Sequence, residues 1–98
     1  MYVRLITYYL KPSVTGEQAM PVYDEMLELM QGLTGFQGLS LLMNEEAHQA
    51  ISLSYWDDQT SAMDAGPVIL PHLIGQLQEL VEQPPDISGF DLARQDMP

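Results

Sequence analysis

Over Tyr2 to Leu10 (YVRLITYYL) the chain is rich in β-branched and aromatic residues and halts at Lys11-Pro12-Ser13, which predicts a strand followed by a turn. Its two alternating faces are Val3, Leu5, Thr7, Tyr9 and Tyr2, Arg4, Ile6, Tyr8, Leu10. Charge dominates neither, so both faces need cover. From Thr15 to about Leu33 the spacing becomes helical: Tyr23, Met26, Leu27, Met30 and Leu33 form an apolar stripe, with Asp24, Glu25 and Glu28 on the remaining face. Thr15 reads as the N-cap, Pro21 falls in the first turn or two, and Gly32 and Gly35 supply the stop.

Phe36 to Asn44 (FQGLSLLMN) and His48 to Trp56 (HQAISLSYW) then read as two strands joined through Asn44-Glu45-Glu46-Ala47, an antiparallel hairpin. In the second, Ile51, Leu53 and Tyr55 share one face, while Ala50, Ser52, Ser54 and Trp56 share the other. Small residues on a face turned to helices leave room for a cavity. Asp57 to Met63 predicts a short helix that breaks at Gly66-Pro67. A second helix follows from about Val68 to Glu82 on Leu70, Leu73, Ile74, Leu77, Leu80 and Val81, with Pro71 in its first turn and Gln83-Pro84-Pro85 as its end. Asp86 to Arg94 closes the chain as an edge strand weakened by Gly89.

The order β, α, β, β, α, β predicts an α+β, ferredoxin-like domain over residues 1–98, with an antiparallel sheet and helices on one face. The other face would be left bare and apolar, which is rare in monomers, so a second copy stacking its sheet on the first is expected.

Composition narrows the partners. Fourteen Asp and Glu against three basic residues (Arg4, Lys11, Arg94) give a formal net charge of -11, which repels nucleic acid and anionic lipid. No apolar stretch approaches the roughly 20 residues of a spanning helix. With no cysteine there is no disulfide framework, thiolate metal site or thiol nucleophile, and the N-terminal residues lack the pattern of a signal peptide. The default expectation is a cytoplasmic protein. No metal-ligand spacing, Gly-rich phosphate loop or nucleophile elbow is present.

Three segments in order carry a family resemblance: Leu10-Lys11-Pro12 ending the first strand, Gly35-Phe36-Gln37-Gly38 opening the second, and Ser54-Tyr55-Trp56-Asp57 closing the third. The chain resembles the antibiotic biosynthesis monooxygenase-like domains of the dimeric α/β-barrel superfamily, with Ser13 where Gly is usual and Thr34 where Pro is usual. The resemblance implies a homodimer through the sheet faces and a pocket in each subunit between sheet and helices. The activities it implies include cofactor-independent oxygenation of aromatic polyketides and quinols, so no cofactor is expected. Of the residues used by haem-degrading members, the Asn position falls on Ile6 and the Trp position near Ala65; only a His, as His72, matches, which disfavours haem degradation.

On that resemblance the pocket would be lined by Ile6, Tyr8 and Trp56, with His72 as the candidate base for a phenol or quinol proton. Each has a plainer reading. Gln76 and Glu79 follow His72 at i+4 and i+7, the mark of a solvated face; Trp56 suits a core as well as a stacking surface; Tyr8 suits a buried tyrosine with a bonded hydroxyl. His48 opens a strand beside an acidic turn, and the methionines read as adaptable core. Arg4 could bind a substrate carboxylate or enolate, but with fourteen acids in the chain a salt bridge is the simpler expectation. Two functions follow: a cofactor-independent monooxygenase acting on a small apolar aromatic or quinol-type molecule, or a non-catalytic ligand-binding or interaction domain on the same scaffold.

Overall fold

A computed structural model describes all 98 residues. The elements are β1 (Tyr2–Tyr9), α1 (Gly16–Gln31), β2 (Phe36–Asn44), β3 (Gln49–Trp56), α2 (Gln59–Leu80) and β4 (Asp86–Asp91). The four strands form one antiparallel sheet in the order β2-β3-β1-β4. Both helices cover one face, where Met26 and Met30 of α1 join Ala62, Ala65, Ile69 and Leu73 of α2 in a single core with Tyr2, Tyr8 and Trp56 of the sheet. This is the ferredoxin-like plan.

Local chemistry fixes the ends of these elements. The Gln18 side chain accepts from the Thr15 backbone N–H at 2.8 Å, and Glu45 in the β2–β3 turn accepts from the Gly16 N–H at 2.6 Å, so a carboxylate sits at the positive end of α1. Asp58 caps α2 by accepting from the Ser61 N–H at 2.8 Å, and this hydrogen bond holds its carboxyl below the usual carboxylate range. Gly35 has φ +80°, and a methyl group there would meet the Ser61 hydroxyl at 2.5 Å. Only glycine lets the start of α2 rest so closely on the turn before β2. Just beyond, the pairing shifts between Phe36 and Gly38, a bulge that leaves Phe36 edge-on to Trp56 with ring centres 5.4 Å apart.

The helical region after Asp58 departs from the sequence-based reading. It is one helix rather than two, and it runs through Gly66, Pro67 and Pro71 without a break. Pro67 and Pro71 cannot donate to the carbonyls of Met63 and Pro67, but Met63, Pro67 and Pro71 all lie on the exposed side, where water can take the place of the missing donors. The opposite side carries Ala62, Ala65, Ile69 and Leu73, all buried, and that continuous stripe holds the helix together. The last strand also ends earlier than its pattern suggested, at Asp91. A single further bond, from the Leu92 N–H to the Met1 carbonyl at 2.8 Å, extends the pairing.

Strand register sorts the sheet into two faces. Val3, Leu5, Tyr9, Leu42, Ile51, Leu53, Tyr55 and Phe90 lie on the face away from the helices, where Asp86 is the only charged residue. Leu42 is 50% and Phe90 58% exposed there. Leu73, 1% exposed at the centre of the helix-covered face, anchors the roof. Leu73→Ala is expected to cost about 2–5 kcal/mol, a large part of the ~5–15 kcal/mol typical of a domain, read as a lower urea midpoint.

Candidate functional site

The site begins with a steric mismatch. On β3, the side chains facing the helices are Ala50, Ser52, Ser54 and Trp56, exposed by 3%, 3%, 4% and 1%. Above this strand α2 presents Ala62, Ala65 and Gly66. Small groups opposed to small groups cannot fill a sheet-to-helix gap, so an apolar cavity of about 50 Å³ remains, walled by Ile6, Tyr8, Trp56, Ile69 and Leu73 and bordered by Leu70 and Ile87. A second hollow of about 30 Å³ lies toward Leu10, Val22 and Val81. Tyr8, Met26, Ser52 and Leu77 line both hollows and form the partition between them.

The polar atoms of this interior are few and individually bonded. The Tyr8 hydroxyl lies 3.1 Å from Ser52 Oγ, and Trp56 Nε1 donates to Ser54 Oγ at 2.9 Å. Burial pushes the Tyr8 phenol above its ordinary value, opposed by the Ser52 hydrogen bond and the nearby Arg4 charge. Arg4 Nη1 donates to the Ala62 carbonyl of α2 at 3.0 Å. No group of three or more His, Asp or Glu side chains converges to hold a metal ion.

Ile6, Tyr8 and Trp56 therefore come together around one cavity. His72 does not join them: it is exposed on α2, one position before the buried Leu73, and is absent from the cavity wall. Successive helical residues are rotated by about 100°, so burying Leu73 turns His72 away from the sheet. His48 is exposed in the β2–β3 turn with φ 54°. The salt bridge expected for Arg4 is also absent, since the single ion pair in the molecule joins Arg94 to Asp96 at the surface. Arg4 reaches the Ala62 carbonyl of α2 instead, and Gly66 leaves the guanidinium room beside that helix. Reasoning from the sequence did not select Ser52, Met26 or Leu77. The alternation of β3 points to the first, but nothing local marks the other two as a partition.

No protein-family model matches the chain, and no curated protein matches it in sequence. Solved structures do. The cofactor-independent oxygenase SnoaB from Streptomyces nogalater superposes with a TM-score of 0.76 at 19% identity, over 99% of this chain and 96% of that one. The monooxygenase ActVA-Orf6 of Streptomyces coelicolor, in complex with nanaomycin D, gives 0.81 at 13% identity over 99% and 91%. An antibiotic biosynthesis monooxygenase-type protein from Bordetella bronchiseptica gives 0.75 at 16% identity over 95% and 98%. At such identities the likeness establishes architecture alone: the chain has the fold seen in these antibiotic biosynthesis monooxygenase-type proteins.

Proposed function

We propose that the protein is a cofactor-independent monooxygenase that oxidises a small, flat, apolar aromatic or quinol-type substrate held between its sheet and helices. The observation that carries this reading is the apolar cavity walled by Ile6, Tyr8 and Trp56. The oxygenase and monooxygenase with the same fold support it. At about 50 Å³ the cavity is smaller than the ~300 Å³ of a common ligand pocket, and the hollow of about 30 Å³ beyond the partition does not make up the difference, so a substrate enters by displacing both the partition and the helical roof. Met26, unbranched and flexible, is the side chain best able to yield.

In the proposed reaction an enolised substrate carbon passes one electron to dioxygen, and the two radicals join to form a carbon–oxygen bond. The resulting hydroperoxide loses water, leaving one oxygen atom as a new carbonyl while the other departs with the two substrate hydrogens. Trp56 holds the ring system flat, the apolar walls exclude water, and the Tyr8 hydroxyl donates to a substrate oxygen. With its phenol raised above the ordinary value near 10, Tyr8 stays protonated at neutral pH and acts as a donor, not as a base. No His, Asp or Glu lines the cavity. Proton loss therefore follows the acidity of the substrate itself. The same lack of a base favours the alternative of a binding domain without turnover.

The bare apolar sheet face supports assembly as a homodimer, with sheet stacked on sheet. No helix of the structure is long and apolar enough to cross a membrane, and a cytoplasmic location belongs to the same proposal.

Aerobic incubation with anthrone and related quinols is expected to give turnover that rises with pH along the substrate's own ionisation. Tyr8→Phe should lower it roughly tenfold or more, whereas His72→Ala should leave it unchanged. Tight binding with no product selects the binding domain, and turnover abolished by His72→Ala returns proton transfer to that residue. Light scattering should give twice the 11.0 kDa chain mass, falling to the single mass in Leu53→Glu; a wild-type monomer at micromolar concentration overturns the stacked-sheet assembly.

A further inference from the structure

We infer that Arg4 makes the cavity selective for anionic ligands, so that the molecule bound there carries a carboxylate or an ionised phenol or enol oxygen that the guanidinium receives. The inference rests on the cavity being the ligand site, as proposed above, and adds one anionic oxygen to the otherwise apolar aromatic ligand proposed there.

Arg4 is the third residue of β1, on the helix-covered face, directly between Ser54 of β3 and Gly89 of β4. It is half-buried and lines the cavity. Of its five N–H donors one is taken, by the Ala62 carbonyl, which is a neutral acceptor and leaves the charge uncompensated. No carboxylate lies within 4.0 Å, although the chain carries fourteen. None of the remaining donors is sealed from solvent or cavity without a partner, so they are free to be used.

The space around the guanidinium is also provided for. A methyl group at Gly66 would stand 3.3 Å from Nη1 and 3.7 Å from Nη2, pressing on the head group from the α2 side. On the sheet side Gly89 offers no side chain, and the Tyr2 hydroxyl occupies its place. Ser54, the other flank, is engaged by Trp56 Nε1.

A charge set among apolar walls without a counter-ion is costly, and an anion entering the cavity relieves that cost while gaining charge-assisted hydrogen bonds. Arginine keeps its charge and presents a planar fork that fits a carboxylate. Lys11 and Arg94, the two other cations, are both exposed, and neither lines the cavity. Selection is therefore local, since a chain of net charge -11 offers incoming anions no long-range attraction. For the oxidation proposed above, the same guanidinium would hold the enolate oxygen as its charge develops.

Trp56 is the only tryptophan and forms part of the cavity wall, so its fluorescence reports occupancy. The test titrates the protein with anthraquinone carboxylate and with its neutral carboxamide. The wild type is expected to bind the carboxylate roughly 10- to 100-fold more tightly. Arg4→Met should erase that preference while leaving carboxamide binding within about twofold, and Arg4→Lys should retain part of it. Equal affinities in the wild type, or a preference that survives in Arg4→Met, overturn the inference and leave the ligand cavity standing. Quenching by neither compound overturns both. Should Arg4→Met fail to fold by circular dichroism, the wild-type comparison and Arg4→Lys decide.

Discussion

The opposition of small residues across the sheet-to-helix layer governs the rest of this structure. Ala50, Ser52 and Ser54 of the central strand β3 meet Ala62, Ala65 and Gly66 of α2, and none of them is long enough to fill the gap between backbones. Trp56, at the end of the same row, stops the helix from collapsing onto the strand, with Phe36 braced edge-on against it. Without that mismatch the same fold would close over a solid interior. With it, every polar group in the layer has room to find a partner, and no buried side-chain donor or acceptor is left orphaned.

Much of the fold was legible in the sequence because period and punctuation agree. The first strand, the amphipathic helix with Thr15 and Gly32 at its ends, and the hairpin around Asn44 to His48 all combine a clear repeat with a stop signal. The alternation in β3 foretold both the buried face and a cavity under the helices. The region after Trp56 shows where local rules lose to packing. Gly66-Pro67 is a breaker by propensity, yet the buried face of the helix continues across it, and the two prolines stand four residues apart on the side facing water. The spacing of Pro67 and Pro71 holds that information, but only once the direction of the buried face is known.

The candidate site was legible in part. Ile6, Tyr8 and Trp56 share a strand face or a neighbouring one, so alternation is enough to bring them together. Arg4 lies on the same face, but its partner could not be read from composition: abundance of acid says nothing about which carboxylate reaches a given strand position. His72 fails for a rotational reason, because a helix that buries Leu73 cannot also bury its immediate neighbour toward the same sheet. The Met26 and Leu77 partition joins two elements far apart in sequence and carries no local mark at all.

The prolines of α2 have one more consequence. The carbonyls of Met63 and Pro67 lack the rungs that would tie them to the next turn, and both gaps fall in the stretch that roofs the larger cavity. Loosening therefore concentrates in the middle of the helix, since the Asp58 cap and the bridge between Leu10 and Val81 secure its two ends. Bowing there would enlarge the cavity from above while the strands beneath it stay in register.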